Sequence, residues 1–242
     1  MIDVCDEIVD EFLGKMSGVE WRSKGIFFSE ALAFIVYCKM YDVDMIIESG
    51  VRNGTSTEMW LNYFDEDFPI ISIDENINIE DVSNTVERLS NFNNWSFYVG
   101  DGLILVPEMI EKNKENNIAL LLDGPKGDSA LHLSNDCFGI TDNVKFSAIH
   151  DMGDGNYRFG YDVERMKSLS NYIFRSDDVV YRTKFSYVDD VLGGDDNSTF
   201  KEYKRRYPTG CGLAFLEHTL IDTNIDKGLS FVDSVRSENQ EK

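Results

Sequence analysis

Asp44-Met45-Ile46-Ile47-Glu48-Ser49-Gly50-Val51-Arg52-Asn53-Gly54-Thr55-Ser56-Thr57 is the stretch on which the fold of this chain turns. Three apolar residues run into an acid, two glycines bracket a polar turn, and a helical pattern starts at Ser56. That order describes a buried strand, a tight turn and a helix N-terminus, where backbone N–H groups can face a ligand. Gly50 can take backbone angles closed to other residues, and Gly54 lets a ligand or the next helix come close to the main chain. Packing alone also produces such turns in α/β proteins, so the choice between a ligand loop and a structural one rests on the rest of the chain.

Outward from this turn, strand and helix patterns alternate. Short apolar runs at Met45–Glu48, Ile70–Asp74, Trp95–Val99, Ile118–Asp123 and Phe146–Asp151 read as parallel strands buried on both faces. Helical patterns lie between them near Ser56–Phe64, Ile79–Leu89, Leu103–Asn113 and Ser129–Phe138. The alternation predicts an α/β fold: a doubly wound, mainly parallel seven-stranded sheet with helices on both faces. Two helices precede the first strand, over residues 1–18 and Phe27–Tyr41, the second with Ser29 as a candidate N-cap. Beyond a helix expected at Tyr161–Tyr172, Val179–Val188 and Cys211–Glu217 read as two longer strands paired at one sheet edge. The expected layout is one domain over 1–242: N-terminal helices at 1–42, a ligand-binding half at 43–151, an acceptor-side half with edge strands at 152–236, and a frayed tail at 237–242.

Composition narrows the function classes. Forty-four acids against 23 bases give a formal charge of −21, which repels phosphate backbones and anionic membranes at long range. The basic run Lys201-Glu202-Tyr203-Lys204-Arg205-Arg206-Tyr207 reads as a solvated helix face, so no nucleic-acid partner is expected. Cys5, Cys38, Cys137 and Cys211 are far apart and suggest neither a zinc knuckle nor a disulfide framework. With an acidic N-terminus and no apolar run of about 18 residues, the expectation is a cytoplasmic protein with no membrane partner. An edge strand or the N-terminal helices could pair two copies into a homo-oligomer.

The acids fall in a pattern. Glu48, Asp74, Asp123 and Asp151 each end an expected strand, and Asp101 follows the remaining one by two residues. Ligands of open α/β sheets bind outside the carboxyl ends of the strands, so these carboxylates should gather on one rim. Asp74, at the end of the second strand, is placed to accept hydrogen bonds from ribose hydroxyls. Asp101 is placed near an adenine amino group, or simply makes an Asp-Gly turn.

The set Ile47-Glu48-Ser49-Gly50-Val51-Arg52-Asn53-Gly54-Thr55-Ser56-Thr57, Ile73-Asp74, Gly100-Asp101-Gly102, Leu121-Leu122-Asp123-Gly124 and Ile149-His150-Asp151 resembles a class I S-adenosylmethionine-dependent methyltransferase. Within that superfamily the first turn is similar to those of macrocin and rhamnosyl O-methyltransferases and of relatives of cephalosporin hydroxylase. The resemblance covers about 110 of the 242 residues, and Arg52 departs from it by replacing the middle glycine of the general turn. It implies S-adenosylmethionine as cofactor, held by Glu48, Gly50, Arg52, Gly54, Ser56, Asp74, Asp101 and Asp123. It also implies a Mg²⁺ ion on Asp123 and Asp151, with His150 standing where some relatives carry a second acid.

Methyl transfer from a sulfonium is a displacement, so the acceptor must be aligned and lose its proton. Asp123 or His150 could take that proton, and Lys126 could stabilise a developing oxyanion. The expected reaction is metal-assisted O-methylation of a hydroxyl on a sugar, glycan or glycosylated small molecule. Two competing readings are a non-catalytic cofactor-binding protein and an enzyme of this fold using another nucleotide. The latter is opposed by the missing Gly-x-Gly-x-x-Gly. Asp151-Met152-Gly153-Asp154-Gly155-Asn156-Tyr157 could form a lid over the acceptor.

Overall fold

The computed structural model describes residues 6–152, 166, 169, 171–194, 197–207 and 210–218. Two helices, α1 (Asp6–Met16) and α2 (Phe28–Met40), lead into β1 (Met45–Ser49). There follow α3 (Thr55–Tyr63), β2 (Ile70–Asp74), α4 (Glu80–Leu89), β3 (Trp95–Val99), α5 (Gly102–Lys112), β4 (Ile118–Leu122), α6 (Asp128–Phe138) and β5 (Val144–Ile149). The remainder comprises β6 (Tyr172–Arg175), α7 (Val179–Phe185), α8 (Tyr187–Leu192), α9 (Ser198–Arg206) and β7 (Ala214–Glu217).

The seven strands form one sheet in the order β3-β2-β1-β4-β5-β7-β6. The first five pair in parallel, and β7 enters antiparallel between β5 and β6. The order reverses between β1 and β4: the chain steps outward from β1 to β3, then crosses back from β3 to β4 on the other side of β1, and a cleft opens there at the carboxyl ends of the strands. Alternate strand residues feed two cores, which is why the strand sequences are apolar throughout. Ile46, Ala119, Leu121 and Phe146 pack under α1, α2, α3 and α8, whereas Ile47, Leu120, Leu122 and Ile149 pack under α5 and α6.

Three local expectations need correction. Val179–Val188 is not a strand but α7 and the start of α8. Its valines suggest extended chain, yet the buried residues Tyr181, Phe185 and Val188 follow a helical spacing, while Val179 and Val180 are exposed. The Asp178 carboxylate accepts from Val180 N at 2.9 Å and caps the helix start. Ser29 does not cap α2; Phe27 holds that position, and the Ser29 hydroxyl donates to Asp189 Oδ2 at 2.8 Å. At the sheet edge the last strand begins at Ala214 rather than Cys211, and its outer partner is β6. Tyr172, the last residue of the expected helix at Tyr161–Tyr172, opens β6. The rest of that helix, apart from 166, 169 and 171, and positions 153–157 of the expected lid lie outside the described residues.

Candidate active site

The turn after β1 is held from below. Gly50 has φ +94°, and a Cβ there would lie 2.8 Å from the backbone of Asp123 and Gly124, so the position requires glycine twice over. Asp74, at the end of β2, reaches across and accepts from Val51 N at 3.0 Å and Arg52 N at 3.2 Å. Gly54 lies off the cleft; a Cβ would strike Thr85 and Arg88 of α4, so this glycine serves helix packing. Arg52 extends outward, half exposed, 3.5 Å from Asp81.

Glu48 and Ser56 also lie behind the turn rather than in the cleft. Glu48 is fully buried. Its Oε2 accepts from Thr57 Oγ1 at 2.5 Å and Ser72 Oγ at 3.0 Å, and its Oε1 accepts from Ser56. One carboxyl therefore ties β1, α3 and β2 together. Burial pushes the Glu48 pKa up to about 7 against the pull of those three hydroxyl donors.

The cleft in front of the turn has a volume of about 520 Å³, within the range of small-molecule sites. Gly50, Arg52, Asp74 and Asp101 line one end, with Ile79 and Val82 forming an apolar wall. Asp101 lines the cleft and caps α5, its carboxylate accepting from Leu103 N at 2.9 Å. Asp123, Lys126, His150 and Asp151 line the other end. Lys24, before α2, and Tyr203, on α9, also line the cleft. Lys24 is not singled out by the sequence, and Tyr203 figures there only within the basic run Lys201–Tyr207, which reads as a solvated helix face.

At the second end, the charges are paired. The turn between β4 and α6 carries Lys126 back toward the strand end. Its ammonium donates to Asp151 Oδ2 at 2.7 Å and to Asp123 Oδ1. The same Asp123 oxygen is 2.7 Å from His150 Nδ1. His150 Nε2 lies 3.8 Å from Glu30 Oε2, and the Cys211 thiol sits beside the same imidazole, donor atom within 4.8 Å. Glu30 is itself anchored by Phe27 N at 2.8 Å and Gly212 N at 2.7 Å. Glu30 and Cys211 carry no motif, and the pairing of β7 with β5 brings Cys211 in.

These contacts set the charges. Burial alone would raise the Asp123 carboxyl, but the Lys126 ammonium and His150 outweigh it and hold Asp123 well below the usual carboxylate range. Burial would lower both Lys126 and His150; the charges of Asp123 and Asp151 outweigh it and raise both above their ordinary values. Both are therefore cations at neutral pH. Burial raises the Cys211 thiol against the opposing pull of His150, which keeps it protonated.

The Mg²⁺ site implied by the resemblance does not fit this arrangement. The two carboxylates expected to hold the ion already share an ammonium, and the third position is an imidazole rather than a hard oxygen donor. Among the described residues one group with soft-metal character exists: donor atoms of His150, Asp151 and Cys211 lie within 4.8 Å of one another.

No family model matches the sequence, and no curated protein sequence matches it. Among solved structures, the chain is similar to an O-methyltransferase from Bacillus cereus in complex with S-adenosylhomocysteine, at 10% identity over 90% of this chain and 93% of that one, TM-score 0.47. It is also similar to an S-adenosylhomocysteine-bound methyltransferase from Podospora anserina, at 11% identity over 89% of each chain, TM-score 0.46. A third is the O-methyltransferase of tomaymycin synthesis from Streptomyces achromogenes in complex with S-adenosylmethionine, at 9% identity over 89% and 92%, TM-score 0.45. The strand order and the antiparallel β7 define a doubly wound, mainly parallel, Rossmann-like α/β sheet. No described helix is long and apolar enough to cross a membrane.

Proposed function

We propose that this chain is an S-adenosylmethionine-dependent O-methyltransferase. The reading is carried by one observation: a single cleft joins the Gly50 turn and Asp74 at one end to the Asp123–Lys126–Asp151 cluster at the other. Its first end suits a nucleoside, with a carboxylate for ribose hydroxyls beside an apolar wall for a base. S-adenosylmethionine, when bound, supplies an electrophilic methyl group on a sulfonium. The residues of this chain have two tasks, to orient the acceptor oxygen and to ease the loss of its proton.

Lys126 suits the second task. An ammonium fixed beside the acceptor favours a negative oxygen, and preorganised donors of this kind typically contribute about 10²–10³ in rate. The carboxylates of Asp123 and Asp151 flank that ammonium, and Asp151 is the acceptor within reach of the released proton, because Asp123, held well below the usual carboxylate range, is a weak base. We read the acceptor as a hydroxyl of a sugar or sugar-bearing small molecule, on the first-turn resemblance to macrocin and rhamnosyl O-methyltransferases.

The test is to incubate the protein with methyl-labelled S-adenosylmethionine and a panel of sugar, glycoside and phenolic hydroxyl acceptors, following S-adenosylhomocysteine release. Turnover on a glycosylated acceptor supports the full reading, and turnover only on phenols corrects the acceptor. Binding of S-adenosylhomocysteine with no turnover on any acceptor favours a non-catalytic cofactor-binding protein.

A further inference from the structure

We propose that the Lys126 ammonium is the resident cation of this site, so that the chain works without a divalent metal. The reaction it serves rests on the methyltransferase reading; whether metal binds does not. The ammonium lies between carboxylates from the ends of β4 and β5, in contact with Asp123 and 2.7 Å from Asp151. A Mg²⁺ ion bridging the same carboxylates would have to share those oxygens with a fixed positive charge. It demands near-octahedral oxygen ligands, and the third residue at hand is His150. His150 adds to the obstruction, because its Nδ1 takes the same Asp123 oxygen at 2.7 Å.

Lys126 is not a swinging surface lysine. It follows Asp123 by three residues on the short Gly124-Pro125 turn, and its side chain is only 29% exposed. Gly127, with φ +70°, then turns the chain into α6. The ammonium is thus tethered to the same strand end as one of its two partners. Removing it would leave two carboxylates at the cleft end with His150 as their one positive partner, 2.7 Å from Asp123 and 4.0 Å from Asp151, an arrangement one positive charge short.

The test is Mn²⁺ titration followed by electron paramagnetic resonance, on the wild type, Lys126→Ala and Lys126→Met, with circular dichroism to confirm folding. The wild type is expected to leave millimolar Mn²⁺ free. The two variants should bind it at least about tenfold more tightly, and Mg²⁺ should raise their Tm but not that of the wild type. Three results would overturn the proposal: Mn²⁺ uptake by the wild type that is lost in Asp123→Asn; folded variants that bind no metal; or Zn²⁺ taken up by the wild type and lost in Cys211→Ser. If neither variant folds, the wild-type titrations still decide, since uptake of any of these ions overturns the proposal and indifference to all of them supports it. S-adenosylhomocysteine calorimetry on the same samples keeps the two readings apart: absent heat counts against the methyltransferase assignment and leaves the metal result standing.

Discussion

The two ends of the cleft are built on opposite electrostatic plans. At the first end, polar groups are satisfied by backbone amides or hydroxyls: Asp74 by the turn N–H groups, Asp101 by the start of α5, and Glu48 by three hydroxyls behind the turn. At the second end, side chains are satisfied chiefly by opposite charges, with Lys126 and His150 set against Asp123 and Asp151. The first end is therefore a preformed cradle that leaves little for a ligand to rearrange. The second is a charged cluster in which removing one member leaves another uncompensated.

The largest expected effect sharpens the comparison at the first end. Glu48→Ala would leave three hydroxyls without their acceptor and open a cavity beneath the turn, so it should destabilise the fold by about 4 kcal/mol. Urea unfolding would check this, and a loss below about 1 kcal/mol would mean that Glu48 is not the tie it is described as here.

A pH dependence of smaller size follows from the same residue. Glu48 carries a pKa of about 7 in the fold against an ordinary value of 4.5. Between those values the folded state holds a proton that the unfolded state has lost, so stability falls as pH rises through that window. The fall is on the order of 3 kcal/mol for this group alone. Glu48→Gln should flatten it, as seen by comparing unfolding midpoints at acidic and mildly basic pH. Asp123 works in the opposite sense, because its contribution is lost as pH falls below the ordinary carboxylate range. Glu48 behind the turn and Asp123 in the cleft should thus change stability in opposite senses with pH.

The smallest effect is expected at Arg52, the one departure from the general turn. Its half-exposed pair with Asp81 is of the kind that contributes little. Arg52→Ala should change stability by less than about 0.5 kcal/mol, measured by thermal unfolding.

The first end was largely legible in the sequence because it is local. Strand, turn and helix follow one another between Met45 and Tyr63, and Asp74 is one crossover away. The parallel strands β1 to β5 were legible for a related reason: residues buried on both faces read as continuous apolar runs. The second end was legible only at Asp123, Lys126, His150 and Asp151. Glu30 comes from α2 and Cys211 from the approach to β7, and no local pattern announces an antiparallel strand inserted between β5 and β6. The same region hid α7, where β-branched valines on the exposed face masked a helical burial period. Side-chain direction was also beyond the sequence: the turn pattern that named Glu48, Gly54 and Ser56 does not say that all three lie behind the cleft.

The most direct test of the two-ended site is calorimetric titration with S-adenosylhomocysteine of the wild type, Asp74→Ala and Lys126→Met. The account predicts saturable binding by the wild type and a loss of about 10²-fold in Asp74→Ala, which removes a charged hydrogen-bond acceptor worth about 2–3 kcal/mol. Lys126→Met should stay within about threefold of the wild type, since it touches only the far end. No heat from the wild type, or equal binding by Asp74→Ala, would contradict it.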